Sequence, residues 1–305
     1  MSDLVLLLLN FMSTFSVLVL IAVSLGLIFG QLGIINLAQG DLVMVGAYVM
    51  YATGNLPFGV GLAVAVVFGA LLGIVLERGV IARLYPRGFM PTLLATWGIG
   101  IVLRQLADAL FTSTPRTVAA PVGGSITVLG VQYPTYRFVL AGVVALVLAG
   151  FLLLSYRTSI GLRVRASIDN VEMASILGVS APLMFALVFV TGTVMTVFTG
   201  ALASPVLGIT PSLGVSYLAP AFFAVLLGRP GTLAGPVFGA ALVSALSVLL
   251  DRFFTATVAQ SLLFAVLVCL IAASPGGVKW QLSHRVRPRS RPRPPRSVGT
   301  SAAAG

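Results

Sequence analysis

Long apolar runs constrain this chain more than any other feature of its sequence. Several of them exceed the roughly 18 residues that mark a membrane-spanning helix. The chain of 305 residues is 58% hydrophobic and only 8% charged, whereas an ordinary soluble domain has about 25% charged residues. The runs are continuously apolar and do not alternate, which disfavours a membrane β-barrel. The sequence therefore predicts an all-α polytopic membrane protein with about nine transmembrane helices, eight to ten being allowed.

One apolar segment, residues 31–51, is interrupted by residues that a purely lipid-spanning helix would not contain. These are Gly33, Asn36, Gln39, Gly40 and Asp41. A carboxylate at the centre of a spanning helix costs roughly 2.5–3.5 kcal/mol, so it usually faces protein or a wet cavity. Glycine and polar residues favour unwound backbone, which needs protein or water around it at membrane depth. We therefore predict that this stretch helps to line a path through the membrane. Two roles for Asp41 stay open: a helix cap just beyond the Gly40 break, and contact with the transported solute.

Other interruptions predict local structure elsewhere. A second Gly-broken segment, residues 228–239, contains TLAGPVFG and weakly echoes NLAQGDLVMVG. An internal repeat would place both segments at the centre of one path. The Pro/Gly-punctuated residues 204–220 are not expected to form one regular helix. In the longest loop of the first half, SITVLGVQYP has β-branched residues around Leu129 and Gly130 and predicts a short hairpin.

Basic residues predict the orientation of the chain. If the spans alternate, 14 of the 18 Lys and Arg residues fall on one side, seven of them in the C-terminal tail. By the positive-inside rule this side is cytoplasmic, which places the N-terminus outside. The start of the chain has no Lys or Arg before its apolar region, so a cleaved signal peptide is disfavoured.

The chain divides into a transmembrane domain, residues 1–275, and an Arg/Pro-rich cytoplasmic tail, residues 276–305. The tail cannot bury a core, so we expect it to be disordered and to face lipid headgroups. No nucleic-acid-binding fold or aromatic platform accompanies its charge, and we expect no nucleic-acid partner.

The cytoplasmic loop 159–180 contains a second candidate site. Ser167 can cap a short helix there and Gly178 can end it. Apolar residues recur on one face of this helix, at Ile168, Val171, Ala174 and Leu177. The charged residues before and on it are Arg163, Arg165, Asp169 and Glu172. Two interpretations stay open: an interfacial helix that lies on the membrane, and a helix that docks into a cytoplasmic partner and passes motion to the spans.

The chain lacks residues for enzyme chemistry of its own. Its only lysine, Lys279, does not belong to a phosphate-binding loop. A single histidine, His284, and a single cysteine, Cys269, exclude a zinc site of the His/Cys type. An intramembrane aspartyl protease needs two facing carboxylates, but Asp108 follows Arg104 by four residues, a spacing that predicts an ion pair on one helix face. We therefore predict a transport protein without catalytic residues, metal or cofactor.

Four segments carry a resemblance to a known family. They read GLIFGQLGIINLAQGDLVMVGAYVMY, TLLATWGIGIVLRQ, GLRVRASIDNVEMASILGV and PSLGVSYLAPAFFAVLLGRPGTLAGPVFGA. In this order they resemble permease subunits of the branched-chain amino acid class of bacterial ABC importers, a class that also serves urea and short amides. LLATWGI and PSLGVSYLAP look most similar to the urea-type permeases.

The predicted translocation path then comprises Asn36, Gln39, Gly40, Asp41, Thr96, Gly228 and Gly231. One turn departs from the family pattern GG-x-G, because Arg229 and Pro230 lie between Gly228 and Gly231.

The resemblance also implies partners and a mechanism. Such a permease lies in the bacterial inner membrane and pairs with a second, homologous permease. Each permease binds a cytoplasmic ATP-binding subunit, which holds the ATP, and a periplasmic or lipid-anchored solute-binding protein delivers the substrate. Residues 163–178 match the family's coupling loop, which implies contact with the ATPase through Arg163, Arg165, Ser167, Asp169, Glu172 and Gly178. We expect alternating access for branched-chain amino acids, or for urea and short amides. The rival is a stand-alone channel or ion-coupled transporter with Asp41 as its proton or cation site.

Overall fold

The chain folds into a bundle of helices. The structure is a computed structural model that describes residues 2–228, 232 and 234–273. The first half contains α1 (Ser2–Leu32), α2 (Gln39–Ala52), α3 (Phe58–Leu76), a π-helix (Glu77–Ile81), the single turn α4 (Ala82–Leu84), a 3-10 turn (Tyr85–Arg87) and α5 (Phe89–Phe111). The second half contains α6 (Thr135–Arg157), α7 (Ser159–Asp169), α8 (Val171–Ile176), α9 (Ala181–Ala203), α10 (Leu213–Leu227), α11 (Gly235–Phe253) and α12 (Ala256–Ala273).

The predicted spans correspond partly to helices that are long enough to cross a membrane and partly to shorter ones. Within the described residues, nine helices have 14 residues or more, which agrees with the predicted number. Six of them, α1, α3, α5, α6, α9 and α11, are long and apolar enough to cross a membrane. In contrast, α2 has only 14 residues, so it extends over about 21 Å where the hydrocarbon core is about 30 Å thick. The all-α polytopic fold is confirmed, and α2 is a short helix that begins inside the bundle.

The middle of α1 forms the centre of the bundle. From Val17 to Leu25, every side chain is at most 4% exposed. This part of α1 is apolar on all faces, which is typical of a helix that other helices surround. Helices α6, α9, α10 and α11 pack around it. On α3, by contrast, Val67, Leu71 and Val75 are 59–65% exposed, as expected for a surface that faces lipid.

Glycines allow α2 and α9 to cross in direct contact. A methyl group at Gly46 would overlap the carbonyl of Val197, and one at Gly200 would overlap the carbonyl of Val43. Small residues at such crossings let helix backbones approach, which is a common way to pack helices in membranes. The helix that follows the break in residues 33–38 is therefore fixed to α9 at two points.

The predicted hairpin is confirmed. Strands β1 (Ser125–Val128) and β2 (Val131–Pro134) pair antiparallel, with Val128 opposite Val131. The turn residues Leu129 and Gly130 have φ of 49° and 86°, a left-handed conformation that tight hairpin turns require. The preceding loop also contacts the segment between α9 and α10, since Arg116 and Ile209 exchange two backbone hydrogen bonds of 2.9 Å.

Candidate functional site: a polar junction inside the helix bundle

The break in the first apolar stretch separates α1 from α2. Gly33 adopts φ of +63°, which glycine tolerates at no steric cost, and its N–H donates to Phe29 at 2.9 Å to end α1. Asn36 then turns the chain, because its Oδ1 accepts from the N–H of Ala38 at 3.1 Å. The following helix begins without a side-chain cap. The prediction that Asp41 caps it is therefore wrong.

Gln39 joins three parts of the bundle through its amide. Its Nε2 donates to Ser24 Oγ on α1 at 2.8 Å and also to Thr196 Oγ1 on α9. Its Oε1 accepts from Asn36 Nδ2 at 3.1 Å. All four side chains are at most 1% exposed. Buried polar groups need such partners, because an unpaired one costs about 1–3 kcal/mol. Asn36 and Gln39, which were predicted to line an open path, thus pair with each other, and Gln39 also bonds two hydroxyls. These bonds fix the break that precedes α2 to both α1 and α9.

Thr96 ties α5 to the same break. Its Oγ1 accepts from the N–H of Leu37 at 3.2 Å and donates to the carbonyl of Leu93 at 2.9 Å. The side chain is 1% exposed. The structure therefore brings Thr96 together with the broken segment of residues 31–51, as the predicted path requires. Its hydroxyl binds a backbone N–H that lies between α1 and α2.

Asp41 pairs with Arg104 of α5. Asp41 Oδ1 lies 3.2 Å from Arg104 Nε, and the two side chains are 6% and 30% exposed. This overturns the predicted pair of Arg104 with Asp108, whose Oδ1 instead accepts from Ser113 Oγ at 2.5 Å. The physical reason is that helical side chains lean toward the N-terminus of their helix. Arg104 accordingly reaches back to the carbonyl of Gly100 at 3.3 Å and away from the next turn.

The starts of α2 and α10 meet at two glycines. A methyl group on Gly40 would overlap the backbone of Gly214, and one on Gly214 would overlap the backbone of Gly40. The irregular segment before α10 thus leads to the helix start that meets the first break. Gly228 lies at the other end of α10, which has 15 residues and extends over about 22 Å. Gly228 packs there against Gly235, and Gly231 lies outside the described residues.

The loop of residues 159–180 contains two short helices where one was predicted. Thr158 caps α7, since its Oγ1 accepts from Gly161 N–H at 3.1 Å. Asn170 caps α8, since its Oδ1 accepts from Met173 N–H at 3.0 Å. Ser167 is buried inside α7 and donates to the carbonyl of Arg163 at 2.9 Å, so its predicted cap role is wrong. Gly178, with φ of +86°, follows the end of α8 as predicted.

The α7–α8 segment has a buried face and an exposed apolar face. Val164 and Ala174 are 7% and 4% exposed, and Val164 belongs to a buried cluster with Leu27 of α1 and with Met184 and Val188 of α9. Away from this face lie large apolar side chains that are 58–79% exposed: Leu162, Met173, Ile176 and Leu177. The break at Asn170 therefore interrupts the predicted apolar stripe, and its last member, Leu177, points outward.

The charged residues of this loop differ in their surroundings. The guanidinium of Arg165 lies over the ring of Tyr156, 4.7 Å from its centre, and so links α7 to the end of α6. Arg163 is exposed. The backbones of Asp169 and Glu172 lie in α7 and α8, and their side chains are outside the described part of the chain.

Comparison with known proteins decides the family. Residues 7–273 match the family described as branched-chain amino acid transport system / permease component. The chain belongs to this family. A permease of this class is a transport component and not an enzyme. With its apolar helices, the permease is a multi-pass protein of the inner membrane, and the family works with ATP-binding subunits and a second permease.

Three relatives align with most of the permease. The high-affinity branched-chain amino acid transport system permease protein LivH of Escherichia coli is 26% identical over 278 residues, covering 85% of this chain and 90% of LivH. BraD of Pseudomonas aeruginosa is 24% identical and covers 89% and 94% of the two chains. A probable LivH of Methanocaldococcus jannaschii is 26% identical and covers 73% and 74%. One solved chain, of PsaBC from Streptococcus pneumoniae in complex with Fab, covers 86% of the permease with 18% identity and a TM-score of 0.47.

Proposed function

We propose that this permease forms the translocation path of an ATP-driven importer whose substrates are branched-chain amino acids. Its relatives LivH and BraD are named as branched-chain amino acid permeases, which supports this choice over urea and short amides. Substrate arrives from a solute-binding protein on the outer face. The permease pairs with a second, homologous permease, and each binds one ATP-binding subunit.

The exposed apolar face of α7–α8 carries the proposal for the ATPase contact. Met173, Ile176 and Leu177 are 58%, 79% and 78% exposed, on a segment that the charge distribution predicts to be cytoplasmic. Exposed apolar side chains next to polar residues are typical of an interface with another protein. The N-terminus outside and the C-terminus inside follow from the same orientation.

Contacts inside the bundle provide a route from this face to the polar junction. The buried face of α7 packs on Leu27 of α1 and Val188 of α9. On the same two helices, Ser24 and Thr196 hold the amide of Gln39. When the ATPases close, they displace α7–α8, and α1 and α9 pass this motion to the start of α2. The junction is then the element that reorients in alternating access.

The rival function, a stand-alone channel or an ion-coupled transporter, requires a carboxylate that is free to bind a proton or cation. Asp41 is instead neutralised by Arg104. The pairing supports the importer, because the guanidinium favours the ionised carboxylate over the protonated one and repels a second cation.

Reconstitution tests both functions. Proteoliposomes that contain the two permeases, the ATPases and the binding protein should accumulate leucine only with ATP, and should not accumulate urea. Uptake by the permease alone, without ATP, would establish the rival. For the docking face, Ile176→Glu should abolish co-purification of the ATPase, whereas Leu129→Glu, at the exposed tip of the hairpin, should leave it unchanged.

A further inference from the structure

Arg104 is a charged residue inside a membrane-spanning helix. It lies in α5 (Phe89–Phe111), a candidate span, seven positions before the last residue, so about 10 Å separate it from the end of the helix. Charged side chains at such depth are rare and normally face the bundle interior or water.

The direction of its side chain excludes snorkelling to the nearer membrane surface. A long basic side chain close to a helix end normally extends toward the interface. Arg104 Nε instead lies 3.3 Å from the carbonyl of Gly100 and 3.2 Å from Asp41 Oδ1. Both partners lie toward the start of α5, away from its nearer end. The guanidinium is thus held at depth.

Asp41 approaches only the Nε edge of the guanidinium, whose hydrogen is donated to the carbonyl of Gly100. The contact is through Nε, and among the described residues neither of the two terminal NH₂ groups has a partner. The side chain of Arg104 is 30% exposed. A guanidinium has five N–H donors arranged to bind a carboxylate through two parallel hydrogen bonds. The free edge is therefore a ready donor pair for a second carboxylate.

The surface around Arg104 differs from the other side of α5. At about 100° per residue, Trp97, Ile101 and Gln105 lie on the flank beside Arg104, and all three are exposed. The opposite flank, with Leu103, Leu106, Ala107, Leu110 and Phe111, lines an apolar cleft of about 470 Å³ that α2 and α3 complete. Arg104 does not line this cleft. Its flank combines a cation and an amide with two large apolar side chains.

We propose that Arg104 binds the carboxylate of the transported solute, while the exposed apolar side chains of Trp97 and Ile101 contact its aliphatic part. This rests on the proposed function. The chemical class is a small carboxylate with an apolar chain, and it excludes urea and neutral amides as ligands of this site. Asp41 remains on the other edge and limits the attraction, so the carboxylate binds weakly enough to leave, as transit through a path requires.

Ligand binding to the assembled transporter tests the proposal directly. The complete complex, without the binding protein, is placed in nanodiscs, and binding is measured by saturation-transfer NMR. We expect signals for leucine and for 4-methylpentanoate, which keeps the carboxylate and lacks the amine. Leucinamide, which lacks the carboxylate, and urea should give none. Arg104→Gln should weaken leucine binding at least tenfold, and Arg104→Lys should weaken it less.

Two further variants separate recognition from folding. The double variant Asp41→Asn/Arg104→Gln removes both charges, leaves no unpaired ion, and should still fail to bind leucine. Arg83→Gln is the matched control, because Arg83 also donates to the carbonyl four residues before it, at 3.0 Å from Gly79, but lies exposed beyond α3. Its leucine binding should equal that of the wild type.

The outcomes distinguish this inference from the proposed function. Equal binding of leucinamide and leucine, or unchanged binding by Arg104→Gln or by the double variant, would overturn the role of Arg104. ATP-driven leucine uptake by the wild type in the same preparation supports the proposed function whatever Arg104 does. Absence of that uptake with active ATPases would overturn the proposed function itself.

Discussion

Arg104 of α5 and Asp41 of α2 form an ion pair that links two helices of the bundle, with 3.2 Å between Nε and Oδ1. The pair explains why a carboxylate is tolerated at the start of a short membrane helix. It also makes the position of α5 depend on α2.

Removing both charges should destabilise the permease less than the two single losses added together. Asp41→Asn leaves Arg104 unpaired, and Arg104→Gln leaves a carboxylate that is 4% exposed. Each single variant should lose about 1–3 kcal/mol, and the double variant should lose less than the sum, because no unpaired charge remains. Thermal unfolding in detergent measures this difference. Strictly additive losses would mean that the two groups do not interact.

Replacing the amide of Gln39 should loosen the junction. Gln39→Leu keeps most of the volume but leaves Asn36 Nδ2 without its acceptor. We expect a loss of about 1–3 kcal/mol and faster backbone amide exchange around residues 33–38. As a comparison, Ser175→Ala removes a hydroxyl that is exposed and bonded only within α8. This change should cost less than about 0.5 kcal/mol. An equal cost for both variants would show that the amide of Gln39 does not stabilise the polar junction.

A single methyl group should separate α2 from α10. Gly40→Ala and Gly214→Ala each place a methyl group where the partner backbone lies. We expect a loss of monodisperse protein and at least a tenfold drop in ATP-driven uptake. Gly142→Ala in α6 is the matched control, because its methyl group would meet nothing within 4 Å. Normal uptake by Gly40→Ala would show that the two helix starts do not need their close contact.

The cap of α8 should matter for coupling to the ATPase. Asn170→Ala removes the acceptor for Met173 N–H, at 3.0 Å, and should destabilise this six-residue helix by about 1 kcal/mol. Leucine-stimulated ATP hydrolysis should fall severalfold while the basal rate persists. Asn170→Asp keeps the cap and should restore stimulation. Failure of the aspartate variant to do so would exclude capping as the cause.

Local pattern was enough to predict the elements of this fold. Length and continuous apolar character identify α1, α3 and α5, and β-branched residues around Leu129 identify the hairpin. The break after Gly33 was also predictable, because glycine and amides are unfavourable inside a helix that faces lipid. Each of these features depends only on residues that are close to one another in the sequence.

Tertiary partners could not be predicted in the same way. The spacing of Arg104 and Asp108 suggests a local pair, and only the packing of α5 on α2 brings Asp41 closer. Ser24 and Thr196 were missed because a hydroxyl in an apolar helix usually bonds to its own preceding turn, which Thr196 also does. Ser167 and Asn170 are both residues that cap helices, and the sequence does not say which of the two ends up buried.

The close contact of Gly40 and Gly214 bears on the leakage of ions through the permease. Two helices begin there, and each helix start carries roughly half a positive elementary charge from its aligned peptide groups. In the proposed path, their sum would repel protons and sodium ions and attract anionic groups. A cell stores energy as a difference in proton concentration across this same membrane. If the junction forms the gate of the proposed path, it can open for a solute without discharging that store.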